Sequence, residues 1–134
     1  MRVLMLVFAL FVGLAAPARA ADDVSTGQGV IRAQEQALGR DDAETAYSFA
    51  SPSIQSVFAD ADAFVSMVRK SYPSIFRHKS FDFGEAKVED GKMAQIVHIV
   101  DAEGVPWDAL YTLERQPDGS LKITGCVLSK LTGA

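Results

Sequence analysis

A strand–turn–strand pattern between Trp107 and Leu128 constrains the fold of this 134-residue chain more than any other stretch. In the first arm Trp107, Ala109, Tyr111 and Leu113 share one side, with mainly polar residues on the other, which is the period-two pattern of a half-buried strand. The second arm repeats it, with Leu121, Ile123, Gly125 and Val127 on one side and Lys122, Thr124 and Cys126 on the other. Between the arms lies Gln116-Pro117-Asp118-Gly119-Ser120. Proline presets a turn torsion there, the aspartate can bond its own backbone, and glycine accepts a positive φ.

Two further strands precede this hairpin. Phe81 and Phe83 alternate with polar residues, and the phase changes across Gly84, which predicts a bulge there before Ala86 and Val88. Asp90-Gly91 is a tight turn signal, and the run from Met93 to Val100 is apolar on both faces except at Gln95 and His98. The sheet is therefore expected to be a four-stranded antiparallel meander, joined at Asp101-Ala102-Glu103-Gly104.

Helical signals occupy the half before the strands. Val30, Ile31, Gln34, Ala37 and Leu38 share one face up to a stop at Gly39. Asp41-Asp42-Ala43-Glu44 opens a second helix, since an aspartate cap followed by glutamate complements the free N–H groups. Ser51-Pro52 starts a short third one. Phe64, Met67, Val68 and Tyr72 define a fourth, capped by Asp60 or Asp62 and ended by Pro73, with a loop or short turn from Pro73 to Lys79. Helices followed by a meander make an α+β fold, with N-terminal helices covering one face of a curved sheet.

Residues 1–20 read as a secretory signal peptide, because Arg2 precedes the apolar run Val3 to Ala16 and Ala18-Arg19-Ala20 is a small-x-small cleavage pattern. The run is too short to span a bilayer, so no stable membrane insertion is expected after cleavage. This implies a periplasmic or secreted protein of 114 residues starting at Ala21, with a flexible segment over 21–29 and a single domain over 30–132. Cleavage removes two of 13 basic residues and none of 17 acidic ones, taking the net charge from -4 to -6. That balance argues against nucleic-acid binding, which needs clustered Lys and Arg. The one basic cluster, Arg69-Lys70 with Arg77-His78-Lys79, reads first as solvated charge at a helix end and loop, with a phosphate or carboxylate site as the minor alternative. Cys126 is the only cysteine, so no intramolecular disulfide can form.

Four phrases, Ala50-Ser51-Pro52-Ser53-Ile54-Gln55, Met67 to Pro73, Asp101 to Trp107 and Glu114 to Ser120, together resemble an uncharacterised family of exported bacterial domains of unknown function. The resemblance covers about residues 28 to 131 and implies a shape and a compartment but no reaction. More loosely, the Pro-Asp-Gly hairpin is similar to the last strands of the nuclear transport factor 2-like superfamily, which implies a cone of helices and curved sheet around a pocket. The buried tyrosine and paired aspartates of that superfamily's steroid isomerases have no matched positions here, so their activity does not carry over.

In a cone of that kind the polar residues expected at the concave side are Tyr47, Arg69, Tyr72, His98, Asp108 and Thr112, which form the candidate ligand-binding set. His98 and Asp108 lie on neighbouring strands and are the candidate catalytic pair, since a carboxylate against an imidazole can set it up as a general base. A cross-strand polar pair at the sheet surface is the plainer reading of the same two residues. Tyr47, Tyr72, Trp107 and Tyr111 read mainly as core aromatics. No metal site, phosphate loop or nucleophile elbow is present in the sequence, and no cofactor is expected. The sequence thus points to a non-enzymatic module for a small apolar ligand or a protein partner. The alternative is a small cofactor-free enzyme of isomerase, dehydratase or hydrolase type using His98 and Asp108. A homodimer through a sheet face carrying Leu110 and Leu128 is a third expectation.

Overall fold

The computed structural model describes residues 15–131, with side chains from residue 20 onward. The chain runs α1 (Ala15–Gly39), α2 (Ala43–Ser48), α3 (Pro52–Gln55), α4 (Ala61–Ser71), α5 (Pro73–Phe76), β1 (His78–Glu89), β2 (Lys92–Asp101), β3 (Pro106–Arg115) and β4 (Leu121–Lys130). The strands form one antiparallel sheet in the order β1-β2-β3-β4, and the helices pack on one of its faces. The α+β order and the meander are as the sequence predicts.

Local chemistry sets the helix boundaries. The Asp42 carboxylate accepts the Thr45 N–H at 3.2 Å and caps α2, and the Asp60 carboxylate accepts the Ala63 N–H at 2.8 Å and caps α4. Asp41, expected to share in the first of these caps, instead takes a φ of 58° and turns the chain. Ser51 caps α3 ahead of Pro52. In α4 the buried side is Ala61, Phe64, Val65 and Val68, at helical spacing. Pro73 ends α4 and opens one further helical turn, α5, where the sequence suggested a loop or short turn.

Two segments differ from the sequence reading. Residues 21–29, expected to be flexible, are part of α1; Gly27 is buried there, and a Cβ on it would lie 2.2 Å from the Met93 sulfur. The polar composition of the segment hides this contact, because glycine is what lets the helix approach the sheet so closely. The signal-peptide run falls mostly outside the described residues.

In β4 the register shifts where Leu113 pairs with Ile123 but Thr112 with Gly125, leaving Thr124 as an extra residue. A bulge of this kind reverses the side-chain phase beyond it. Leu121 and Ile123 are buried as expected, while Cys126 and Leu128 turn inward and Val127, expected inside, is 62% exposed. The outer face therefore carries Leu110 and Val127 rather than Leu110 and Leu128.

The expected irregularity at Gly84 is present between Phe83 and Ala86. There the fully buried Gln95 side chain donates to the carbonyls of Gly84 (3.0 Å), Glu85 (3.3 Å) and Ile96 (2.7 Å), and its own oxygen accepts from Gln28 of α1 (3.0 Å). A side-chain amide thus completes hydrogen bonding that the bulge takes from the ladder. The core lies between helices and sheet, around Ile31, Leu38, Phe81, Val97, Ile99 and Leu113. Residues 49–51 also pair with β4: the Ser51 N–H donates to the Ile123 carbonyl (2.8 Å) and the Ile123 N–H to the Phe49 carbonyl (2.9 Å). That pairing covers part of the edge strand.

Candidate functional site

A cavity of about 430 Å³ lies between the helical layer and the β4 side of the sheet. Leu38 and Gln34 of α1, Ile54 of α3, Phe64, Met67 and Val68 of α4, then Tyr72 and Ile75 form its helical walls. Tyr111 of β3 and Ile123 to Cys126 of β4 close the sheet side. Val57, 75% exposed, stands at its rim with Phe58. Among the described residues no Asp, Glu, Lys, Arg or His contributes to these walls. The volume lies within the range of small-molecule sites, and an apolar lining with a few polar groups is their usual composition.

The polar groups in the lining fall into two sets. Tyr72, Ser53 and Thr124 are engaged: the Tyr72 hydroxyl donates to the Cys126 carbonyl (3.2 Å), the Ser53 hydroxyl lies 2.9 Å from that of Ser51, and the Thr124 hydroxyl donates to that of Thr112 (3.0 Å). Tyr111 is only 2% exposed, yet no hydrogen bond among the described residues involves its hydroxyl. Tyr111 is one of the residues that line the cavity. Gln34, 5% exposed, uses its amide nitrogen on the Ala46 carbonyl (3.1 Å), and its amide oxygen accepts nothing from the described residues. Burial, then the proximity of Cys126 and Glu35, pushes the Tyr111 phenol well above its ordinary value. Burial likewise pushes the Cys126 thiol up to about 12, so both groups are neutral at physiological pH. A neutral thiol is a packed wall atom rather than a nucleophile.

Of the six residues expected to bind a ligand, Tyr72 alone lines this cavity. Tyr47 stands behind the wall, packed on Phe64 at 5.5 Å between ring centroids, with its hydroxyl donating to the Gln55 carbonyl at 2.7 Å. Arg69 stacks over Phe76 and lines a separate groove with Trp107 and Lys130.

His98, Asp108 and Thr112 are on the outer face, away from the helices. Along β2 the inward row is Met93, Gln95, Val97 and Ile99, so His98 has the opposite phase, and β3 behaves likewise at Asp108 and Thr112. His98 and Asp108 are direct cross-strand partners, with Nδ1 2.7 Å from Oδ1. Register places Asp82 and Ser129 at the two ends of the same row. The pair is open to water, at 57% and 31% side-chain exposure, and lines neither this cavity nor the groove beside Arg69. The imidazole leans over Gly84, where a Cβ would lie 2.6 Å from its Nε2.

The sequence reading missed a second histidine arrangement. His78 is half-buried, not a solvated charge: its Nε2 is 2.6 Å from Glu35 Oε2 and its Nδ1 is 3.0 Å from the Ser74 carbonyl. Glu35 Oε1 also accepts from Arg32 Nη1 at 2.6 Å, and the Arg32 guanidinium lies over Phe81 and Phe83. Both ring nitrogens lie within hydrogen-bonding distance of an oxygen, and the arrangement ties α1 to the start of β1. Glu35 sits on α1 more than forty residues before His78, and no local pattern relates them. Among the described residues no group of three or more His, Cys, Asp or Glu is placed to hold a metal ion, and no helix is long and apolar enough to cross a membrane.

The molecule is thus an α+β domain with an uncharged, apolar cavity between its helical layer and a four-stranded meander. The chain belongs to the family described as domain of unknown function (DUF4864), whose model matches residues 20–134. No curated protein and no solved structure matches the chain, so the likeness to the nuclear transport factor 2-like superfamily gains no support from a structural relative.

Proposed function

We propose that this chain is an exported, non-enzymatic module that holds a small apolar ligand in the cavity between its helices and sheet. The observation that carries the reading is the buried Tyr111, which lines that cavity and whose hydroxyl has no hydrogen-bond partner among the described residues, in a wall that is mainly apolar and uncharged. Buried polar groups are nearly always satisfied, and one without a protein partner at a cavity can be completed by water or by the polar head of a bound molecule. Export follows from the apolar run and cleavage pattern before Ala21, and the family match beginning at Ala20 fits a domain that starts where the leader ends.

The enzyme reading has the pair it needs, since His98 and Asp108 are within hydrogen-bonding distance. It lacks the enclosure that excludes water and holds a substrate, because both residues stand on an open sheet face. The same face, with Leu110 and Val127 exposed, is where a protein partner or a second copy would sit.

Mass spectrometry of the organic extract of natively exported protein tests the proposal. A small molecule in near-stoichiometric amount supports it, especially if Ile54→Trp, which narrows the cavity, lowers the amount recovered. An extract equal to that of a control protein purified in parallel argues against it. Intact mass checks the leader: the expected chain begins at Ala21, and a retained Met1 removes the export part.

A further inference from the structure

We infer that the ligand is a neutral amphiphile, an apolar chain or ring carrying one hydroxyl, carbonyl or carboxamide head, and that Tyr111 is the residue that recognises this head. The inference rests on the apolar-ligand reading above and adds the chemistry of the ligand.

Three observations carry it. First, among the described residues no carboxylate, ammonium, guanidinium or imidazole lines the cavity, so none of them compensates a charged head. An ionised group brought into such a wall loses its hydration without gaining a partner, which is expensive enough to exclude fatty-acid carboxylates and phosphate esters as preferred ligands. Second, two buried lining residues carry polar groups without a partner among the described residues, the Tyr111 phenol O–H, donor or acceptor, and the Gln34 amide oxygen, an acceptor; Tyr72, Ser53 and Thr124 are already engaged. A neutral oxygen head accepts from Tyr111, and one that also carries a proton can donate to Gln34. Third, the remaining wall is aliphatic and aromatic, including Ile54, Phe64, Met67 and Val68, so the rest of the ligand is apolar. The high proton affinity of Tyr111 keeps it a donor across the physiological range.

Calorimetric titration of the purified, solvent-extracted chain with decanol, methyl octyl ketone, decanamide, decanoate and decane tests this. The series keeps the apolar part nearly constant and varies the head. Decanol, ketone and amide are expected to bind more tightly than decane. Decanoate at neutral pH is expected to bind at least about tenfold more weakly than decanol. Tyr111→Phe is expected to weaken the ketone about tenfold while leaving decane unchanged, a difference that a loss of packing alone would not produce. Decanoate binding as tightly as decanol, or a ketone affinity indifferent to Tyr111→Phe, overturns this inference and leaves the apolar-ligand reading standing. Binding by no member of the series, decane included, removes that reading and this inference with it. The wild-type comparison of heads decides the matter even if the variant folds poorly.

Discussion

Replacing Gln95 with leucine looks harmless, a buried polar side chain exchanged for an apolar one of similar size, yet the structure predicts a substantial loss of stability. The Gln95 amide is fully buried and its two hydrogens are shared among the carbonyls of Gly84, Glu85 and Ile96, two of which sit in the β1 bulge. Leucine leaves about two of these carbonyls without a donor, at about 1–3 kcal/mol each. The Gln28 amide, half-buried, can turn toward water, so its loss adds little. Leucine's greater apolarity returns about 1 kcal/mol. The net is about 3 kcal/mol, or roughly 10 °C in Tm for a domain of this size. Urea melts of wild type and Gln95→Leu, with unchanged slope, give the difference directly. A loss below about 0.5 kcal/mol would mean that the bulge carbonyls find water, and would refute the role given to Gln95.

Alkaline pH should destabilise the fold, because Cys126 releases its proton near 9.0 when unfolded and only at about 12 when folded. The folded state binds that proton more tightly, so its contribution is whole below pH 9 and is lost at up to about 1.4 kcal/mol per pH unit as pH rises from there toward 12, with Tyr111 adding to the loss. Urea midpoints measured upward from about pH 8 should fall, and less steeply in Cys126→Ala. Asp108→Asn should change stability by less than about 1 kcal/mol, since its partner His98 is largely exposed; a larger loss in denaturant melts would mean that the outer-face pair has a weight its exposure does not give it. Glu35→Gln should cost about 1–2 kcal/mol by the same assay, because it weakens both the His78 and the Arg32 contacts in a half-buried setting.

How much of this was legible in the sequence depended on how far each feature reached along the chain. The meander was readable because alternation and turn residues are local: Asp90-Gly91 and Gly119 take the positive φ values that their turns require. The cross-strand pairing of His98 with Asp108 was readable for the same reason, from a short connection between adjacent strands. Which face they occupy was not, because β2 is apolar on both sides and the buried Gln95 reads as the polar exception just as His98 does. The β4 bulge was invisible, since Thr124 carries no turn signature, and it moved Cys126 and Leu128 inward and Val127 outward. The cavity gathers α1, α3, α4, β3 and β4, so its membership is a property of packing alone. Tyr111 looked like core, and its place in the inward row was correct; what marks it as a candidate site residue is a hydroxyl without a partner among the described residues, which no sequence pattern records.

The central claim is that the helix–sheet cavity is a ligand site, and titration with a neutral apolar fluorophore such as N-phenylnaphthylamine tests it most directly, comparing wild type with Ile54→Trp. Ile54 is half-buried on α3 at the cavity wall, so the larger ring should occupy ligand space while the core around Ile31 and Val97 stays intact. The account predicts saturable, one-to-one enhancement in wild type that decanol displaces, weakened at least tenfold in Ile54→Trp at comparable Tm, since each factor of ten is about 1.4 kcal/mol and the lost apolar contact exceeds that. Enhancement that fails to saturate, or that is the same in both proteins, would contradict it.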